Sequence, residues 1–241
     1  MAYQAIFKRY EIKYLLTHDQ KQKILAAIAP YMALDNYGRT TIRNIYFDTD
    51  SYRLIRHSIE KPAYKEKLRI RSYRQAEPGS PVFVELKKKY NSIVYKRRLA
   101  MPEKDAMDWI CGVVPSESNT QIAAEINYFL DYYQTLRPTV FLSYEREAYF
   151  SLDGSDFRIT FDDHILSRRE NLSLEADVGG THLLPEGKVL MEIKTSGGIP
   201  LWLTHVLSQE RIFKTSFSKY GTAYQTTIFP EQGKRLKHDI I

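Results

Sequence analysis

Cysteine is nearly missing: Cys111 is the only one among 241 residues. One thiol permits no disulfide within the chain and no cysteine-based zinc site. It ends an apolar, helix-like stretch, Met107 to Gly112, and reads as an inert, partly buried thiol rather than a nucleophile. Glycine (11) and proline (10) are too scarce for a collagen-like or low-complexity chain. No apolar run approaches the roughly 18 residues of a membrane-spanning helix. Met1 to Arg9 lacks the apolar stretch and small-residue cleavage site of a signal peptide. The expectation is a cytoplasmic protein with no transmembrane segment. The histidines show no HExxH-like spacing, which argues against a histidine metal site. Gly197-Gly198 lacks the other residues of a phosphate-cradling loop and reads as a turn.

Hydrophobic residues make up 43% and charged residues 27%, enough apolar side chain for a core. Lys plus Arg number 35 against 29 Asp plus Glu, a net charge of +6, and the pI is near 9.1. That balance favours an anionic partner: nucleic acid, a membrane surface or a phosphorylated small molecule. Tyrosine (18) and phenylalanine (11) suit strands better than helical bundles.

Period-two patterning predicts eight strands: Phe7–Leu16, Thr40–Asp48, Ala63–Tyr73, Val82–Lys89, Ser92–Met101, Thr139–Leu152, Phe157–Asp163 and Lys188–Thr195. Helices are predicted over Gln20–Met32, from Pro102 to about Cys111, over Asn119–Gln134, Pro200–Ser208 and Ser216–Tyr224. The polar connection Leu166–Gly187 is expected to be mobile, and residues 230–241 to form a loose tail after a single domain of residues 1–229. The fold class is α+β, and an even set of antiparallel strands can close into a barrel without edges.

Charge on these strands is arranged by face. Lys65, Lys67, Arg69 and Arg71 share one face of the third strand. Glu85, Lys87 and Lys89 share a face of the fourth, and Lys96 and Arg98 of the fifth. Tyr144 and Arg146 do so on the sixth, Arg158, Thr160 and Asp162 on the seventh, and Lys188, Glu192 and Lys194 on the eighth. The opposite faces are apolar, as in Leu68 and Ile70 or Val189, Met191 and Ile193. One such strand is an ordinary solvated sheet face. Repeated on nearly every strand, a cationic wall repels itself unless a polyanion fills the space it encloses. Glu-x-Lys recurs at Glu11/Lys13, Glu85/Lys87 and Glu192/Lys194. Arginine forks suit phosphate oxygens, and a Mg²⁺ or Mn²⁺ ion between carboxylate and phosphate would relieve their repulsion.

The segments RYEIKYLL (Arg9–Leu16), IYFDT (Ile45–Thr49), KLRIRSY (Lys67–Tyr73), FVELKKK (Phe83–Lys89), YKRRLAM (Tyr95–Met101), LRPTVFLSYEREAY (Leu136–Tyr149), FRITFDDHI (Phe157–Ile165), LMEIKT (Leu190–Thr195) and FSKY (Phe217–Tyr220) occur in family order. In that order the chain resembles the VTC (vacuolar transporter chaperone) domain, the polyphosphate polymerase branch of the CYTH-like triphosphate tunnel metalloenzymes. The resemblance implies an eight-stranded antiparallel β-barrel forming a basic tunnel, with flanking α-helices. Lys13, Arg69, Arg71, Lys87, Arg146, Arg158 and Lys219 then look like phosphate ligands. Arg9, Lys89, Lys96, Arg98, Tyr144, Lys194 and Ser218 look like supporting tunnel residues. Glu192 looks like the main carboxylate for a divalent metal, Mn²⁺ or Mg²⁺, with Glu11, Glu85 and Asp162 as weaker candidates. Arg9 stands where hydrolytic relatives carry the first Glu of Glu-x-Glu-x-Lys, which points toward the polymerase branch. Lys89 stands where polymerases carry a histidine. The family's regulatory SPX domain and membrane helices have no counterpart here, so a stand-alone catalytic-type domain is expected.

The implied reaction moves a phosphoryl group from ATP to a polyphosphate end, or to phosphate or pyrophosphate for priming. A triphosphatase using the same tunnel, with water as acceptor, is the alternative. A non-catalytic module binding polyphosphate or RNA, with Tyr64, Tyr73 and Tyr90 available for base stacking, is a third reading. Nucleic acid is the less favoured partner, because strand tyrosines usually pack.

Overall fold

The computed structural model describes residues 6–7, 10–91, 93–116 and 118–230. Its strands are β1 (Ile6–Phe7), β2 (Tyr10–Thr17), β3 (Met32–Leu34), β4 (Thr40–Asp48), β5 (Tyr64–Tyr73), β6 (Pro81–Tyr90), β7 (Ile93–Pro102), β8 (Arg137–Ser151), β9 (Arg158–Arg168), β10 (Thr181–His182), β11 (Lys188–Thr195) and β12 (Lys214–Thr215). The helices are α1 (His18–Ile28), α2 (Arg53–Ile59), α3 (Glu103–Ile110), α4 (Gln121–Tyr133), α5 (Leu201–Gln209) and α6 (Lys219–Ala223), the last running into a π-helical turn, Tyr224–Ile228.

All twelve strands belong to one antiparallel sheet, with eight long strands in the order β7-β6-β5-β4-β8-β9-β11-β2. These are the eight strands expected from the sequence. Among the described residues their hydrogen-bonded ladder is an open sheet rather than the expected closed barrel, for β7 and β2 do not pair with each other. A side-chain bridge spans the gap: Lys87 Nζ of β6 donates to both carboxylate oxygens of Glu11 on β2, at 3.0 and 2.9 Å. Two residues upstream of β2, β1 pairs with β7, so neighbouring pieces of chain hold opposite edges of the sheet.

Two of the three apolar clusters lie outside this curled sheet, between its outer face and the helices, while a third, with Ile42, Val140, Leu142 and Leu190 packed on Tyr220 and Ile228, lies on the chamber side. Leu68, Ile70, Val82, Val84 and Leu86 are fully buried beneath α3 and α4, with Trp109, Ile126 and Phe129. Val189, Met191, Ile193, Ile159 and Phe161 are buried beneath α1 and α5. Each such side chain stabilises the fold by roughly 1.5–3 kcal/mol. On these strands the apolar faces turn outward to the helices and the charged residues turn into the concave interior, where the apolar chamber-side cluster adjoins them.

Local chemistry sets the helix limits. Thr17 and Gln20 form a reciprocal capping box on α1. The helix ends at Ile28 rather than Met32: Ala29 still donates to the Leu25 carbonyl, but Pro30 has no N–H to continue the ladder, and Met32–Leu34 then pairs with the end of β8. The sequence reading missed α2, whose first amides are held by Asp48, the last residue of β4: its oxygens accept from the N–H of Leu54 and Ile55 at 2.9 Å.

The Leu166–Gly187 connection is pinned rather than free. Leu174 is buried in the core. Its N–H donates to Glu103 Oε1 at 2.8 Å, and Arg43 donates to the carbonyls of Leu174 and Ala176. Gly180 adopts φ +124°, and a Cβ there would stand 2.1 Å from the Ser167 carbonyl oxygen; only glycine lets the connection lie this close to β9. Cys111 is exposed rather than partly buried, with partial desolvation and nearby Asp108 pushing its thiol pKa up. Arg9 and the tail after Pro230 lie outside the described residues.

Candidate functional site

The sheet's concave face encloses a chamber of about 380 Å³. β5 sends Lys67, Arg69 and Arg71 into it, β6 Lys87, and β7 Lys96. Across from them stand Arg146 and Tyr144 of β8, Glu192 and Lys194 of β11, and Glu11 and Lys13 of β2. The segment Phe217–Tyr220 crosses the interior and ties these strands together. The Phe217 carbonyl accepts from Lys13 Nζ at 2.7 Å, Ser218 Oγ from Lys67 Nζ at 3.1 Å, and Lys219 Nζ donates to Asp162 at 2.5 Å. Tyr220 stacks on Tyr46 with ring centroids 4.9 Å apart and donates to Asp48 at 2.9 Å.

Two buried carboxylates act from behind the chamber wall. Glu85, 1% exposed, accepts from Arg69 Nε and Nη2 at 2.9 and 2.8 Å, from Arg98 Nε at 2.9 Å, and lies 2.6 Å from Lys96 Nζ. Asp162, fully buried, accepts from Arg146 Nε and Nη2 at 2.6 and 2.7 Å, as well as from Lys219. Neither carboxylate lines the chamber; each fixes the cations that do. The cross-strand register explains this, since Glu85 faces Arg69 and Arg98, and Asp162 faces Arg146. Burial raises both carboxyl pKa values, but Arg69 and Arg71 around Glu85, and Arg146 and Lys219 around Asp162, bring them below their ordinary range.

Glu11 and Glu192 are the two carboxylates that line the chamber among the described residues. Burial pushes Glu11 up, but Lys87 and Lys194 bring it down to about 2. Glu192 sits in a box of cations, with Lys13, Lys194, Arg146 and Lys219 at 3.2–3.8 Å. These contacts are looser than those holding Glu85 and Asp162, so the Glu192 oxygens retain room for another ligand. Among the described residues no three acidic, histidine or cysteine side chains form a metal cage. The donor set fits a hard cation that shares Glu192 with phosphate oxygens, since Mg²⁺ typically takes one or two carboxylates plus substrate phosphates.

A second space, about 720 Å³, continues from the chamber and shares Glu11, Lys13, Lys67, Lys87 and Ser218 with it. Lys61, Lys65, Lys89 and Lys214 line this vestibule as well. On two rungs of the β5–β6 ladder lysine faces lysine, Lys65 with Lys89 and Lys67 with Lys87. Like charges directly opposite destabilise a sheet. Among the described residues, Lys61, Lys65, Lys67, Lys89 and Lys214 have no acidic side chain within 4.0 Å. Burial, then Lys13 and Lys87, lowers the Lys67 pKa to about 7. Burial lowers Lys96 to about 7 against the pull of Glu85, and Lys194 to about 8. The molecule holds positive charge under pressure to lose protons or gain an anion.

The expected residues are thus largely brought together. Lys13, Arg69, Arg71, Lys87, Arg146 and Lys219 line the chamber, as do Lys96, Tyr144, Lys194 and Ser218, while Lys89 stands in the vestibule. Arg98 hydrogen-bonds to Glu85 and Tyr73, lies over the Phe83 ring, and is not in the lining. Arg158 is exposed and lines neither space. It opens β9 opposite Lys194, which lines the chamber, but its own side chain is exposed at the strand's start. Sequence reasoning missed Tyr46, Val94, Tyr220, Lys61 and Lys214. Lys67 was legible in the alternation of β5; Lys61 and Lys214, on a loop and a two-residue strand, belong to no periodic pattern.

The VTC domain family model matches residues 8–228. No curated protein matches the chain. A solved structure of a candidate adenylate cyclase from Bacillus halodurans is similar in fold, with TM-score 0.54 and 14% identity over 89% of this chain and 96% of that one. HpAC1 from Hippeastrum, a candidate adenylyl cyclase with a dominant triphosphatase activity, has TM-score 0.52 and 15% identity over 90% of this chain and 94% of its own. No helix among the described residues is long and apolar enough to cross a membrane.

Proposed function

The chain belongs to the VTC domain family, and we propose that it transfers a phosphoryl group from ATP to the end of a polyphosphate chain held in its basic interior. Phosphate or pyrophosphate would serve as the first acceptor. The observation that carries this reading is the vestibule: lysines without acidic partners continue beyond the chamber, giving an acceptor chain a cationic path.

Phosphoryl transfer needs in-line alignment and neutralisation of charge more than a covalent partner. The guanidinium forks of Arg69, Arg71 and Arg146 match phosphate oxygens bidentately, and Lys13, Lys87 and Lys219 add point charges. Glu85 and Asp162 hold these forks in place before substrate arrives, so little reorganisation is needed when charge develops. Tyr46 and Tyr144 orient Arg69 and Arg71 through hydrogen bonds of 2.8 and 3.1 Å. Glu192 is the residue that would hold a divalent cation, Mg²⁺ or Mn²⁺, with Glu11 nearby; once bound, such an ion offsets phosphate charge beside the carboxylates. Arg98, Lys96, Lys194, Lys89 and Ser218 support the path, whereas Arg158 and Arg9 carry no part of this reading.

Hydrolysis of a triphosphate is the second reading, favoured by the enclosed chamber and by the activity of the structurally similar HpAC1. One incubation with ATP and Mn²⁺ separates the two. ADP with polymer and little free phosphate is the expected result. ADP matched by free phosphate would replace the polymerase with a hydrolase.

A further inference from the structure

A cleft of about 410 Å³ lies apart from the chamber, between α2, α4 and the ends of β5 and β6. Its walls are tyrosine: Tyr64 from β5 and Tyr128, Tyr132 and Tyr133 from α4. Tyr128 is 70% exposed and Tyr132 55%, whereas the chamber tyrosines Tyr46 and Tyr144 are buried. The uncovered rings stand over a fixed floor. Glu66, buried, accepts hydrogen bonds from the hydroxyls of Tyr64 and Tyr133, the latter at 2.9 Å. Burial and Glu66 together push the pKa values of both hydroxyls up, so they remain donors.

The charge in the cleft is cationic. Arg53, Lys65 and Lys88 stand against Glu66 alone, with His57 beside them. The Arg53 guanidinium lies 5.3 and 5.4 Å from the Tyr132 and Tyr133 ring centroids, and no acidic side chain among the described residues pairs with it. An organic cation is disfavoured, because the cleft already holds Arg53, Lys65 and Lys88 against one carboxylate, Glu66. A peptide carboxylate would leave the tyrosines unused. Lys88 lies 3.8 Å from Glu66, which leaves Arg53 and Lys65 without an acidic partner among the described residues; exposed aromatic rings, this surplus of cations and a volume suited to a small molecule match one flat heteroaromatic ring carrying a phosphate. Lys65 also lines the vestibule, so the cleft meets the tunnel mouth at one side chain.

We propose that this cleft is a second site, outside the tunnel, that binds a nucleoside phosphate, with its base on Tyr128 and Tyr132 and its phosphate at Arg53, Lys65 and Lys88. The site goes beyond the tunnel reading and does not depend on it.

AMP is the probe, and calorimetry on the full chain with saturating inorganic tripolyphosphate is the measurement. AMP binding is expected to persist when tripolyphosphate is present. Replacing both exposed rings, Tyr128→Ala with Tyr132→Ala, should weaken AMP binding by about tenfold or more, since each stacking ring contributes separately. Tripolyphosphate affinity should not move, and circular dichroism should report an unchanged fold. Arg53→Gln, which keeps the rings, should weaken AMP but not adenosine. Displacement of AMP by tripolyphosphate, equal AMP affinity in the double variant, or no AMP binding at millimolar concentration each overturns the proposal. Failure of tripolyphosphate to bind would count against the tunnel reading alone, because the tyrosine and arginine variants still decide the cleft.

Discussion

Glu85 receives Arg69 through two hydrogen bonds of 2.9 and 2.8 Å while remaining out of sight of the chamber. The carboxylate that looked like a metal ligand thus stabilises the cations of the wall. Removing one partner of a buried ion pair leaves the other uncompensated, at about 3–5 kcal/mol. Glu85→Ala should lower the melting temperature by roughly 10 °C, given about 2–4 °C per kcal/mol for a chain of this size. Tripolyphosphate should raise the variant's melting temperature more than the parent's, because the anion replaces the lost charge. Equal shifts in calorimetric scans would refute this role.

Arg146 is held along its Nε–Nη2 edge by Asp162, which also has Lys219 as a second partner. Arg146→Ala should therefore keep the fold and lose about 100-fold or more in turnover, the usual cost of deleting one preorganised charge donor. Arg146→Lys should recover little, since an ammonium cannot reproduce the fork. Near-parent ADP release from either variant would remove Arg146 from the machinery.

Lys67 couples the chamber to pH. Its folded pKa, about 7, lies below the 10.5 of a free lysine, so between these values the unfolded chain holds more protons. Stability of the ligand-free protein gains from this group as pH rises through that window, and the penalty is full below pH 7. A bound polyanion favours the charged lysine and raises its pKa. Tripolyphosphate binding at pH 8 should therefore take up protons, measurable by calorimetry in buffers of different ionisation enthalpy. Lys67→Met should reduce the uptake by up to one proton. An unchanged uptake would place the proton elsewhere, with Lys96 and Lys194 next in line.

The vestibule should distinguish long chains from short ones. Lys61, Lys89 and Lys214 line it without lining the chamber. Changing all three to Gln should weaken binding of polyphosphate tens of units long by roughly tenfold at low salt, each partly exposed charge contributing up to about 1 kcal/mol. Tripolyphosphate should bind almost as before, and the difference should shrink as salt rises. Parallel losses for both ligands in filter-binding assays would contradict a path beyond the chamber.

Much of this was readable along the chain. The bounds of β4 and β11 coincide with those predicted from alternation, and the face shared by Lys65, Lys67, Arg69 and Arg71 is the inner one. Alternation reports which side of a strand a residue takes, but not its depth or its neighbour. It could not show that Glu85 and Asp162 stand behind arginines, which depends on cross-strand register. Nor could it show that Arg158 falls at the exposed start of β9. The tie from Asp48 to α2, and Leu174 anchoring a polar-looking connection, rest on single residues meeting distant partners.

The pairing of β2 with β11 has a consequence for how the molecule comes to exist. Lys13 meets Glu192, and Glu11 meets Lys194, across most of the chain. A strand made early in synthesis must wait for one made late, whereas β4, β5 and β6 each pair with the strand that follows. Contacts so far apart in sequence are slow to form, because the intervening chain must first surrender its freedom. The meander can assemble while translation continues, but the anion-holding interior is finished last. Until then its cations stand open to the solvent.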